Sequence, residues 1–241
     1  MDAIKTVKLT KKYKDLSAVD NLNLTVKQGE LFSLLGVNGA GKTTTIKMLS
    51  CLIKPTSGEA WLLGKSVKTE PYGIKQETNI SPQETAIAPN LSVKENLELI
   101  AGIYGQNRNE AHQSMKKMAQ VFGLTNVLKK RAKNLSGGMQ RRLSIAMALI
   151  SNPQILFLDE PTLGLDVLAR RELWETVQSL KGKITMILTT HYLEEVEALS
   201  DRVGVMANGK LIAVGTVDEL ITQTKTRNLE EAFVYLAGGA K

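Results

Sequence analysis

The run Gly36-Val37-Asn38-Gly39-Ala40-Gly41-Lys42-Thr43 constrains this chain more than any other stretch. Before it stands Leu31-Phe32-Ser33-Leu34-Leu35, a short, almost wholly apolar piece of the kind that forms a strand covered on both faces. After it, Ile46, Leu49 and Ile53 recur at helical spacing and predict a helix that Pro55 and Gly58 stop. Strand, glycine-rich turn and helix in that order are the context that G-x-x-x-x-G-K-[ST] requires. The glycines let successive backbone N–H groups turn inward around phosphate oxygens, and the helix N-terminus adds partial positive charge. Lys42 is expected to reach the β- and γ-phosphates and Thr43 to ligate Mg²⁺, with Gly36, Asn38, Gly39, Ala40, Gly41 and Thr44 completing the cradle. The reading is a nucleotide site; the bland alternative is a turn with no ligand.

A second apolar run, Ile155-Leu156-Phe157-Leu158, ends in Asp159-Glu160. A buried strand ending in carboxylates brings them to the edge of the sheet where open α/β sheets bind ligands. There Asp159 can hold Mg²⁺ and Glu160 can act as general base on a water. Alone this pair says little; beside the glycine loop it completes a phosphate site.

Around these motifs the chain alternates strand and helix. Ile4, Val7 and Leu9, then Leu22, Leu24 and Val26, predict two early strands, and Glu59 to Leu63 another. Helices are expected from Ser92, a capping box with Glu95, through Leu97, Ile100 and Ile103, over Glu110 to Phe122, and from Gln140 through Ile150. A helix near Leu168 to Leu180 and a strand at Thr185 to Thr189 follow, and Asn208-Gly209 marks a hairpin. Strands and helices in this order argue for a parallel sheet with helices on both faces, interrupted by an all-helical middle.

Between the two phosphate motifs stands Leu135-Ser136-Gly137-Gly138-Met139-Gln140. Ser136 can cap a second helix N-terminus and Gly137 and Gly138 expose backbone N–H groups, which makes another anion site or a plain N-cap. Here the sequence strongly resembles the ATP-binding subunit of an ABC transporter over nearly its whole length. The resemblance implies an α/β fold: a P-loop NTPase sheet core with an antiparallel β subdomain and an all-helical subdomain. It implies a single domain over residues 1–241, with residues 1–82 and 152–241 as catalytic core and about 83–151 as the helical part carrying the signature.

Further roles follow from the resemblance alone. Tyr13 would stack on adenine, Gln83 would contact Mg²⁺ and water, and His191 would touch the γ-phosphate. Asp166, in Gly164-Leu165-Asp166, would reach toward the opposite site of a second cassette. Leu163 departs from the small residue common before that loop. Ser136, Gly137 and Gly138 would hold ATP bound to the facing cassette. ATP and Mg²⁺ are the implied cofactors; membrane-spanning permease subunits and a second cassette, a homodimer, are the implied partners, and nucleic acid is not. The exposed loop Glu84-Thr85-Ala86-Ile87-Ala88-Pro89 would help form the groove that receives a permease helix. Leu229-Glu230-Glu231-Ala232-Phe233 is similar to the ending of the exporter branch that includes drug and sodium-ion efflux ATPases, although a C-terminal helix packing on the core explains it equally.

Composition narrows the setting. No apolar run approaches the roughly 18 residues of a membrane-spanning helix, the N-terminus has no secretory pattern, and Cys51 is the one cysteine, so a cytoplasmic location, peripheral on the membrane face, is expected. The net charge of +7 gathers partly at Lys129, Lys130, Arg131 and Lys133, followed by Arg141 and Arg142. A solvated face and an anionic partner both fit that charge. An ABC-type ATPase acting on ribosomes or DNA is the alternative function, without the paired cassettes or inserted modules usual there.

Overall fold

Three apolar runs become the centre of the larger sheet. β3 (Leu31–Leu35), β7 (Ile155–Asp159) and β8 (Thr185–Thr190) are buried at every position, as strands covered on both faces must be. β6 (Thr78–Ser81) and β9 (Arg202–Ala207) extend them in parallel, and β10 (Lys210–Gly215) closes the edge antiparallel to β9 through the Asn208-Gly209 turn. The order is β10-β9-β3-β8-β7-β6. The computed structural model describes residues 1–238, so the last three residues of the expected domain lie outside it.

A second sheet, antiparallel, is formed by β1 (Asp2–Tyr13), β2 (Leu16–Lys27), β4 (Ser57–Leu62) and β5 (Lys65–Ser66) in the order β2-β1-β4-β5. Helix α1 (Lys42–Leu49) shares one core with both sheets, in which Ile4, Leu22, Phe32, Ile46 and Phe157 meet. Simple alternation puts Val7 on the face of Leu9, yet Val7 is exposed while Ile4 and Leu9 are both buried. Ile4 and Leu9 are an odd number apart, and a bulge reconciles them: Lys8 has φ 48 and the register shifts between Thr6 and Leu9. α1 also ends before Ile53. Cys51 turns left-handed (φ 57) and the Leu52 and Ile53 amides both donate to the Lys47 carbonyl, closing the helix ahead of Pro55.

The middle of the chain carries α3 (Val93–Ile103), α4 (Arg108–Val121) and α5 (Gly137–Leu149). Ser92 and Glu95 form the expected capping box, and Asn107 with Glu110 forms a second one that the sequence reading passed over. Leu97, Met115, Phe122 and Leu143 of this arm pack in one cluster with Leu156, Leu158 and Leu188 of the sheet, so arm and sheet are joined by apolar burial. Ile103, at the end of α3, points out of that cluster to solvent. α2 (Pro71–Glu77), α6 (Val167–Gln178), α7 (Leu193–Leu199), α8 (Val217–Thr224) and α9 (Leu229–Gly238) complete the described elements. Among the described residues no helix is long and apolar enough to cross a membrane.

Candidate functional site

From the end of β3 the chain loops into α1, whose N-cap is Gly41 at φ 102. A Cβ there would lie 2.4 Å from the Ala18 carbonyl oxygen, so both backbone shape and space reserve the position for glycine. No side chain caps α1, which leaves the amide donors of its first turn to an outside acceptor. Lys42 folds back over this loop: its Nζ donates to the carbonyls of Gly36 (2.7 Å) and Val37 (3.2 Å) and lies 3.4 Å from Glu160 Oε1. Burial lowers the pKa of this ammonium, and the charges of Glu160 and Asp159 work against that shift.

Asp159 ends β7 directly opposite Thr189 of β8. Its Oδ1 accepts from Thr189 Oγ1 (2.5 Å) and from Thr43 Oγ1 (3.1 Å). Thr43 and Asp159 thus bring two hard oxygens to one point, a donor set suited to Mg²⁺. Among the described residues no group of three or more His, Cys, Asp or Glu could hold a metal.

Glu160 adopts φ 46, a strained conformation for a residue other than glycine, at a cost of about 1–3 kcal/mol. Its amide is held by the Thr189 carbonyl and hydroxyl, each at 3.1 Å. The buried carboxylate faces Lys42 through Oε1 and His191 Nδ1 through Oε2, the latter 3.0 Å away but not aligned as a hydrogen bond.

These groups open on one cleft of about 740 Å³. Tyr13, Asn38, Gly39, Ala40, Gly41, Lys42, Thr43, Thr44, Gln83, Glu160 and His191 all line it. Gly36 and Asp159 are buried; Gly36 donates its amide to the Thr190 carbonyl (3.3 Å), and Asp159 is held by the hydroxyls of Thr43 and Thr189. Tyr13 is 47% exposed, with Lys11 Nζ 5.0 Å from its ring centroid. Leu16, Ala18, Leu163 and the Asn208-Gly209 turn also line the cleft and were not foreseen. Thr189, which fixes both Asp159 and Glu160, was missed as well; its signal was the Thr-Thr-His run, and only the strand register assigns it a partner.

Ser136, Gly137, Gly138 and Asp166 do not line the cleft. Ser136 caps α5, its Oγ accepting from Met139 N (3.3 Å), and Asp166 caps α6, accepting from Ala169 N (2.9 Å). The two helix starts touch, since a Cβ on Gly138 would lie 2.8 Å from the Ala169 Cβ. Ser136, Gly137 and Asp166 are exposed.

Residues 19–163 match the ABC transporter family. The probable multidrug ABC transporter ATP-binding protein YbhF of Escherichia coli is 40% identical over 239 residues, covering 97% of this chain. The chain spans only 41% of that relative's length. The linearmycin resistance ATP-binding protein LnrL of Bacillus subtilis is 39% identical over 94% of this chain and 76% of its own length. A solved ATP-binding subunit of an ABC transporter superposes with a TM-score of 0.86 at 29% identity, covering 97% of this chain and 99% of that one. The dimeric, post-hydrolysis cassette MJ0796 bound to ADP and Pi gives 0.80 at 26% identity, over 88% and 98% of the two chains.

Proposed function

The chain belongs to the ABC transporter family, and from that premise we propose that it is the ATP-binding and ATP-hydrolysing subunit that powers an exporter. The observation that carries this reading is the single cleft where the phosphate loop, Gln83, Glu160 and His191 converge, with the Ser136 helix turned to the outside. The relatives named above are drug-resistance and multidrug transport proteins, which supports export and gives the ribosome- or DNA-directed alternative no support.

In this reading the loop amides and Lys42 bind the β- and γ-phosphates, and Lys42 leaves the carbonyls of Gly36 and Val37 to do so. Thr43 and Asp159 would hold Mg²⁺, which when bound offsets the charge of the phosphates. Glu160, released from Lys42, orients a water and takes its proton as the oxygen attacks the γ-phosphorus; the bond to the bridging oxygen breaks and ADP departs. His191 and Gln83 fix the γ-phosphate and the water. Tyr13 covers the base. Ser136, Gly137 and Gly138 complete the site of a second copy, and Asp166 stands at the same interface.

Residues 83–151 would act as the arm that meets the permease on the cytoplasmic face of the membrane. A groove lined by Pro82, Ala86, Ile100, Tyr104 and Met147 suits a permease segment. Ile87, expected at the surface, is half-buried against the arm's core, so Ala86 is the side chain offered. The test is steady-state ATPase activity of the chain at rising concentration, with identification of the membrane protein that co-purifies. Activity per molecule that rises with concentration supports the reading; no hydrolysis, alone or with the co-purified membrane protein, sinks it.

A further inference from the structure

Arg141 falls within the basic stretch that begins at Lys129, yet it is only 3% exposed and belongs to no solvated face. It projects from the second turn of α5, and among the described residues its guanidinium makes no ion pair. All of its hydrogen bonds go to backbone carbonyls. Nε donates to Pro161 O (2.8 Å), one terminal nitrogen to Pro82 O and to Gln83 O (3.4 Å), and the other to Asp159 O (3.0 Å).

Those four carbonyls share a predicament. Pro82 follows Ser81, the last residue of β6, and Pro161 follows Asp159-Glu160 at the end of β7. β6 and β7 are paired neighbours as far as Ser81 and Leu158, but proline has no N–H with which to continue a ladder. The carbonyls at both strand exits therefore need donors from elsewhere, since a buried carbonyl without a partner is costly. A guanidinium carries five N–H donors in a rigid plane and can serve both exits at once. Burial lowers its pKa to about 10, with Asp159 and Glu195 favouring the charged form, so it remains a cation at neutral pH.

We propose that Arg141 is a positioning residue for hydrolysis, holding the backbone of Gln83 to the strand exit that carries Asp159 and Glu160. The helix that starts at Ser136 then sets the spacing between the water-contacting glutamine of one strand and the carboxylates of the next. The proposal deepens the ATPase reading and rests on it. Arg141 does not line the cleft, so it acts only through the groups it holds. An ammonium in its place is a single point of donors and cannot span both exits.

The test uses the full chain with Arg141→Lys and, as the less conservative variant, Arg141→Gln. Two quantities are read: kcat and KM for ATP, and amide hydrogen exchange across residues 80–88. Displacing reactive groups by about an ångström costs on the order of a hundredfold in rate. For Arg141→Lys we expect kcat to fall about 10- to 100-fold, with ATP affinity within about threefold of the unsubstituted chain. Exchange should accelerate by about tenfold at Ile87 and Ala88, whose amides donate to the Thr85 carbonyl and to Asn96 Oδ1, while α5 and β7 keep their protection. Wild-type kcat and exchange in Arg141→Lys would overturn the proposal. So would loss of ATP binding in step with kcat, or exchange that rises evenly across the chain, because either marks a residue needed only for folding. If the unsubstituted chain hydrolyses no ATP, alone or with its membrane partner, the ATPase reading falls instead, and the exchange data still decide whether Arg141 holds the Gln83 segment.

Discussion

Two helices in this chain begin at glycine-rich turns, and they differ in who satisfies their first amides. α1 has an N-cap glycine that offers no side-chain acceptor, and its donors open on a cleft. α5 is capped by its own Ser136, and its first turn lies outside that cleft on the surface. A helix start needs acceptors, and the source of those acceptors separates a site from a structural cap. α1 lies with its cation, its carboxylates and its histidine on one side of the molecule, whereas the glycines and hydroxyl of α5 stand outside that cleft. The same short grammar of Gly, Ser and Lys thus gives an uncapped helix start beside a cleft in one place and a self-capped surface helix in the other.

The largest effect should come from the carboxylate facing α1. Glu160→Gln keeps shape and hydrogen bonding but cannot take a proton, so single-turnover hydrolysis should fall by about 10²–10⁴-fold with ATP binding retained. Undiminished turnover would move the chemistry away from the α1 cleft and dissolve the contrast. Next in size is Lys42→Ala, which removes a charge-assisted contact of about 1.5–3 kcal/mol and should weaken ATP binding by roughly 10- to 150-fold in calorimetry.

Ser136→Ala sharpens the contrast from the other side. It removes a cap of about 1 kcal/mol, so thermal unfolding should come slightly earlier. ATP affinity of the monomer should be unchanged, but in a Glu160→Gln background, where blocked hydrolysis is expected to trap an ATP-held dimer, that dimer should dissociate more readily in sedimentation. If the monomer instead loses ATP affinity as Lys42→Ala does, α5 reaches the cleft of its own chain and the two helices are not different in kind.

The smallest effect concerns the support beneath the second region. Glu195 of α7 is fully buried, its Oε1 accepting from Trp174 Nε1 of α6 at 3.2 Å, and burial raises its pKa. The folded chain therefore holds this proton more tightly than the unfolded chain. The contribution of the group is fully present below the ordinary carboxylate range and declines as pH rises through the raised folded value. Glu195→Gln removes that dependence, so its Tm should gain on the wild type from acid toward neutral pH. A gap that stays constant with pH would show that folding does not raise the Glu195 pKa.

Much of the α1 cleft was legible because its chemistry is written in contiguous residues. Gly36 to Thr44 and Asp159-Glu160 each sit on one strand exit, and the all-apolar runs before them could only be central strands. Tyr13, Gln83 and His191 were drawn from family resemblance, since a lone Tyr, a Pro-Gln pair or a strand-end His means little by spacing. What escaped notice depends on register or parity. Thr189 becomes a partner of Asp159 only once β7 and β8 are paired, and Leu9 joins Ile4 in the core, with Val7 left outside, only because Lys8 makes a bulge. Arg141 stood in a charge run for which a solvated face and an anionic partner were both open, and both put it at the surface; nothing local signals that two prolines far apart in sequence leave carbonyls for it to serve. α2 and α7 are too short for their periodicity to register, whereas α8, no shorter than α1, carried an unread signal in the capping box of Thr216 and Glu219.

The close approach of Gly138 to Ala169 has a consequence for recognition. Ser136 and Asp166 cap the two helices that touch there, so a shift of one cap is transmitted to the other through a contact with no slack. To an approaching molecule they form a single stiff tile rather than two independent loops. A side chain at Gly138 would collide with Ala169 and force the two helix starts apart.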